Sequence, residues 1–143
     1  MCRAVRPSAA LRGTWTCAPP ISRLAGAHLP RSVDGRSLVS LLHGKRLRHW
    51  RSAALVEHHG PDLNASDPDR PGRGAGNPTT YEALRTKSAI YVEYRGGERE
   101  YYNLRRDPNE LHNTYRKLSK RSRARLHRAL ARLKRCRGAK QCR

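Results

Sequence analysis

The chain predicts an α+β fold, in which a small antiparallel sheet of three to four strands carries a C-terminal amphipathic helix packed on it, behind a disordered N-terminus. Three observations lead there. Short runs rich in aromatic and β-branched residues flank the pair Gly96 and Gly97. The tail from Tyr115 to Arg143 holds thirteen Lys or Arg and no Asp or Glu, yet its apolar residues recur at steps of three and four. Residues Met1 to Thr16 contain Arg and Pro without any sustained period, and are expected to be a disordered tail.

In chain order, the first element is a short helix within Pro19 to Ala27, PPISRLAGA. Proline opens it, Ile21, Leu24 and Ala25 follow at helical spacing, and Gly26 stops it. Asp34 and Gly35 read as a turn, and Ser37 to Leu42 as a second short helix with Leu38, Leu41 and Leu42 on one face, ended by His43 and Gly44. Lys45 to Arg51 is a basic linker whose Trp50 serves as a packing anchor. Ser52 to His59 contains Ala54, Leu55 and Val56, which suit an inner strand, and ends in Glu57, His58 and His59. Adjacent histidines on a strand point to opposite faces, so His58 and His59 do not share a metal. Gly60 to Pro78 is dense in Gly, Pro, Asp and Asn; it reads as a long disordered loop, with a glycosylation acceptor at Asn64-Ala65-Ser66.

The hairpin follows. Tyr81 to Thr86 and Ala89 to Arg95 read as strands, and Gly96 and Gly97 as a two-residue loop of the primed type, with Glu98 to Leu104 returning antiparallel. That loop length puts Arg95 opposite Glu98, Val92 opposite Tyr101, Tyr91 opposite Tyr102 and Glu93 opposite Glu100. The last pair repels, and Arg85 on the preceding strand is the cation expected to contact Glu100. Asp107, Pro108 and Glu110 then read as a helix start, with Asp107 as cap. The final helix, about 117–136, places Tyr115, Leu118, Ser122, Leu126, Ala129, Leu130, Leu133 and Cys136 on one stripe and cations on the others.

Composition sets limits on what this fold can do. The 143 residues suffice for one ordinary domain, but a mean hydropathy of -0.89 and 6% aromatic content leave a small core. A net charge of +20 attracts phosphate, sulfate and anionic surfaces whatever the fold, and by itself names no ligand. No run approaches the roughly 20 apolar residues of a membrane span, and the N-terminus lacks the apolar stretch of a signal peptide. Four cysteines allow three full pairings. Cys136 and Cys142, bracketing a short loop after the last helix, are the natural disulfide, with two free thiols as the alternative. Paired C-x-x-C spacing is absent, which disfavours zinc.

The run from Tyr81 to Asn113 resembles the C-terminal end of the sulfatase family, where an R-T-K strand leads to a hairpin and then to a Y-D-L-x-x-D-P-x-E-x-x-N corner. Here Asn103 replaces the commoner Asp of that corner. Upstream, Leu24 to Ala27 and Val33 to Gly44 resemble the family's L-A-G-A and D-G-x-S-L-x-x-L-L-x-G segment, in the family's order. The resemblance implies an alkaline-phosphatase-like enzyme whose catalytic domain ends near residues 17–49 as two short helices, with 50–143 as the C-terminal subdomain. It implies a sulfuric ester hydrolase using a formylglycine nucleophile and Ca²⁺, exported to the periplasm or outside the cell. It also places His58 and His59 at a substrate rim. Cys17-Ala18-Pro19-Pro20-Ile21 lacks the Arg of the family's C-x-P-S-R motif, and Cys2 lacks its Pro. No cofactor is therefore expected in this chain; Ca²⁺ and formylglycine belong to the complete family enzyme.

Two functions compete. In the first, the chain is the C-terminal part of a sulfatase, not catalytic on its own, whose partner is the missing catalytic domain. In the second, it is a basic module binding sulfated glycan or another polyanion. Nothing in the second reading supports specific nucleic-acid recognition, since no zinc finger, helix-turn-helix or aromatic RNA-binding signature accompanies the charge.

Overall fold

A computed structural model describes residues 18–28, 36–45, 50–60, 78–137 and 141–142. The expectations for the N-terminal tail, Cys2, Cys17, the Asp34-Gly35 turn and residues 61–77 with their Asn64 acceptor lie outside the described residues. The chain divides into two compact units, Met1–Ala54 with Ala131–Arg143, and Leu55–Leu130.

In the first unit, α1 spans Ala18–Leu24 and α2 spans Val39–Leu42. Each ends in the wrap-back hydrogen bond of a left-handed cap: Ala27 N–H donates to the Ser22 carbonyl at 2.8 Å, and Lys45 N–H to the Ser40 carbonyl at 2.9 Å. Ile21, Leu24 and Leu42 are exposed. The Arg36 guanidinium lies 5.2 Å from the centre of the Trp50 ring.

The second unit is built on a four-stranded sheet of order β1-β2-β3-β4, with β1 Ala53–His58, β2 Tyr81–Thr86, β3 Ala89–Tyr94 and β4 Arg99–Asn103. The strand expected to be internal, β1, is an edge. Its Val56 and Glu57 are exposed, as a strand paired on one side permits. The β2–β3 turn closes on Thr86, whose hydroxyl oxygen accepts from the Ala89 amide at 2.9 Å while its proton goes to the Ala89 carbonyl.

The β3–β4 turn differs from the expected two-residue loop. Gly97 N–H donates to the Tyr94 carbonyl and Tyr94 N–H to the Glu98 carbonyl, both at 3.0 Å, so Arg95, Gly96 and Gly97 form a three-residue loop. Only Gly97 has positive φ, at 97°, as in a type I turn closed by a glycine bulge. The extra loop residue slips the register by one. Glu93 faces Arg99, Val92 faces Glu100, Tyr91 faces Tyr101 and Ile90 faces Tyr102. The expected repulsion of Glu93 and Glu100 is replaced by a cross-strand pair of opposite charge.

The corner after β4 is not a helix start. Asp107 accepts from the amides of Leu111 at 3.0 Å and His112 at 2.8 Å, and Glu110 takes a left-handed φ of 58°, which no continuing helix tolerates. A single 3₁₀ turn, Tyr115–Lys117, follows, and then α3, Lys120–Arg135. Extended backbone at Leu118 separates the two, and the Ser119 hydroxyl caps α3 by accepting from the Ser122 amide at 3.2 Å. Within this unit Ala83, Leu84, Tyr91, Val92 and Leu130 are the buried apolar residues. Tyr91 and Leu130 are 2% and 1% exposed, each worth about 1.5–3 kcal/mol of apolar transfer.

Candidate functional site

Strand alternation gives the sheet two chemically distinct faces. Tyr91 and Glu93 of β3 point one way; Ile90, Val92 and Tyr94 point the other. The second face is an open groove of about 480 Å³, walled by Val56, Pro78, Tyr81, Tyr94, Tyr102 and Glu110 among others. Tyr81 and Tyr94 meet at 5.5 Å between ring centres, and His58 stacks on Tyr81 at 5.4 Å while its Nε2 donates to the Pro78 carbonyl. Arg85 closes the far side through an ion pair with Glu110 at 3.1 Å.

The expected Arg85–Glu100 contact is therefore not formed. Across β3, Arg85 shares a row with Ile90 and Tyr102, whereas Glu100 shares one with Val92 and Ala83. The offset leaves Arg85 to the Glu110 carboxylate delivered by the corner. Glu100 accepts instead from the Tyr94 hydroxyl at 3.3 Å. Burial, then the nearby Glu100 charge, pushes the Tyr102 phenol up to about 12.

The other face holds a polar cluster that periodicity alone did not reveal. Glu93 is buried, and its Oε1 accepts from the Tyr91 hydroxyl at 2.6 Å and from His127 Nδ1 of α3 at 2.7 Å. Its Oε2 lies 3.7 Å from Arg99. Burial favours the neutral acid, but the Tyr91 and His127 hydrogen bonds and the Arg99 charge outweigh it and hold the carboxyl below its ordinary range. Burial together with the bond to Glu93 pushes the Tyr91 phenol upward. The Tyr115 ring stacks 6.0 Å from Tyr91 and carries Arg123 over its own face at 4.9 Å. The signal available in the sequence was a carboxylate two residues from a tyrosine on the buried side of a strand, facing a helix with a histidine among its cations.

Asn113, the last residue of the corner motif, ties the chain back to β4. Its Oδ1 accepts from the amides of Tyr101 and Tyr115 at 3.2 and 3.0 Å, and its Nδ2 donates to the Arg99 carbonyl at 3.1 Å. The Leu111 and His112 amides hold Asp107 below the usual carboxylate range. Asp107 and Asn113 thus each supply oxygens to backbone donors that a turning strand leaves unpaired.

Of the residues singled out in the sequence, His58 is engaged with Tyr81 and Pro78, and His59 next to it is exposed. Gly96 and Gly97 form the turn, and Asp107 the corner. Cys136 and Cys142 are joined in a disulfide with Cα atoms 5.2 Å apart. Among the described residues no three His, Cys, Asp or Glu side chains converge to hold a metal ion, so they do not fit the family's Ca²⁺. None of the described helices is long and apolar enough to cross a membrane.

The four-stranded antiparallel sheet and the helix that follows it have the fold of the C-terminal subdomain of sulfatases of known structure. Sequence comparison agrees: the profile described as N-sulphoglucosamine sulphohydrolase, C-terminal, matches residues 9–136, and the chain belongs to the sulfatase family as part of that region. It is 34% identical to human N-acetylglucosamine-6-sulfatase over 115 residues, which are 66% of this chain and 21% of the human protein. The goat protein of the same name is 33% identical over the same length. The chain therefore spans about a fifth of the relatives it matches. Among solved structures, a 2-O GAG sulfatase superposes with a TM-score of 0.63 at 22% identity, covering 91% of this chain and 27% of its own. A phosphonate monoester hydrolase of Agrobacterium radiobacter superposes with a TM-score of 0.59 at 26% identity, covering 81% and 23%. A third, solved with D-glucosamine-2-N,6-O-disulfate, gives 0.59 at 23% identity, covering 82% and 22%.

Proposed function

We propose that this chain is the closing subdomain of a sulfuric ester hydrolase acting on sulfated sugars, structural in role and without turnover of its own. Residues 50–143 form that subdomain and 17–49 the end of the catalytic domain, which is the partner and brings the formylglycine and Ca²⁺. The observation that carries this reading is the Asp107–Asn113 corner, whose Asp107 and Asn113 side chains are engaged with backbone groups and tie the chain back to β4. Sulfated aminosugars are the favoured substrate class because the human and goat relatives are N-acetylglucosamine-6-sulfatases. His59, exposed at the end of β1, is better placed than the engaged His58 to touch a substrate at the rim.

The test has two arms. The purified chain, given an aryl sulfate and a sulfated glycan, is expected to release no sulfate. Co-expressed with a human N-acetylglucosamine-6-sulfatase that lacks the matching C-terminal region, it is expected to bind that protein and raise its activity. Sulfate release by the chain alone, or failure to associate with the shortened relative, would overturn the proposal.

A further inference from the structure

The outer face of α3 carries an unbroken row of arginines. Arg121, Arg125, Arg128, Arg132 and Arg135 follow at intervals of four, three, four and three, which places all five within one narrow stripe of a helix turning 100° per residue. That stripe lies opposite Leu130, the most buried residue of the helix, and all five arginines are exposed. No acidic side chain pairs with any of them among the described residues. The helix contains no Asp or Glu, and its two lysines, Lys120 and Lys134, fall to the side of the stripe. Cations at this spacing repel, an arrangement disfavoured by tenths of a kcal/mol per pair in an isolated helix.

We infer that this stripe is a docking surface for a linear sulfated polysaccharide. Neighbouring guanidinium groups one helical turn apart can each take one anionic group, and the five span about 21 Å at 1.5 Å per residue. A small anion can engage only one or two of them, whereas an extended polyanion can engage the row. Arginine presents a planar fork of N–H donors that matches the oxygens of sulfate and carboxylate two at a time, which lysine does not. Nucleic acid fits less well. The stripe has no aromatic ring on which a base could stack and no Asn or Gln to read an adenine edge. The choice of a sulfated glycan also rests on the sulfatase reading above.

Three variants of the full chain test the inference against size-fractionated heparin oligosaccharides. In the first, Arg121, Arg125 and Arg128 are changed to Gln, which keeps helix propensity and touches no buried contact. In the second, the exposed Arg95, Arg105 and Arg106 are changed to Gln, removing the same charge elsewhere. The third combines the first with the helix-preserving Arg132→Gln and Arg135→Gln. Far-ultraviolet circular dichroism and melting confirm that each folds. The stripe variants are expected to weaken heparin binding by about tenfold or more and to reduce the slope of log affinity against log salt by about one per arginine, while the control loses less than about threefold. Equal losses in stripe and control variants would overturn the inference in favour of diffuse charge. So would fully desulfated heparin, or duplex DNA of matched charge, binding the wild-type chain as tightly as heparin. Each of these outcomes leaves the co-expression test of the sulfatase reading unaffected, so the two can fail separately.

Discussion

Glu93 is where sheet and helix are joined chemically. Its buried carboxylate collects a phenol from its own strand, an imidazole from α3 and a guanidinium from β4. Its pKa is lowered in the folded protein, so its contribution is fully present above the ordinary unfolded value of about 4.3 and is lost as pH falls through the folded value. Glu93→Gln should cost about 1–3 kcal/mol at neutral pH by removing the charge that the Tyr91, His127 and Arg99 donors meet and setting an NH2 group against them, and should flatten the acid limb of a stability–pH profile measured by urea denaturation. An acid limb unchanged in the variant would rule out this role. Tyr91 has the opposite sign: its raised pKa makes its contribution complete below about 10 and lost as pH climbs above that. Tyr91→Phe should therefore shrink the alkaline limb without abolishing it, because Tyr102, pushed up to about 12, titrates in the same sense. The same denaturation series at alkaline pH decides it.

At the level of elements, the β3–β4 hairpin shows how one loop residue redirects a sheet. Gly97 needs its φ of 97°, while Gly96 lies in ordinary backbone with open space around its Cβ position. Gly97→Ala should destabilise by about 1–3 kcal/mol from backbone strain alone, whereas Gly96→Ala should be close to neutral. Equal effects in a pair of thermal melts would argue for the two-residue loop. The helix offers a second test. Leu130 is the apolar contact that α3 buries most deeply in the unit containing the sheet, so Leu130→Ala should cost about 2–5 kcal/mol and Leu130→Asp should release the helix. Retention of the His127–Glu93 contact in the Asp variant, followed by the His127 ring resonances, would contradict that. Both elements were visible in outline from alternation and from three- and four-residue spacing. The loop length was not, because Arg95, Gly96 and Gly97 suit either turn, and hydrogen bonds across the turn made the choice.

For the molecule as a whole, charge is the dominant quantity. At +20 on 143 residues the folded chain repels itself, and exposed ion pairs such as Arg85–Glu110 offset little of that. Its melting temperature should rise as sodium chloride increases from low to physiological strength, where the screening length shrinks to about 8 Å. A flat or falling trend in scanning calorimetry would mean the charges are already compensated. The sequence alone determined the α+β class, strands β2 to β4, the amphipathic α3 and the family, because these are written in local periodicity, glycine positions and a contiguous corner motif. Tertiary structure decided the rest. It set which carboxylate met which partner: Arg85 took Glu110 in place of Glu100, and Glu93 took the Arg99 guanidinium and a hydrogen bond from His127. It also made β1 an edge strand and the Asp107 corner a turn rather than a helix. Those outcomes depend on register and on which distant groups share a face, and a one-residue slip exchanges every partner across the ladder while leaving each strand's own pattern unchanged.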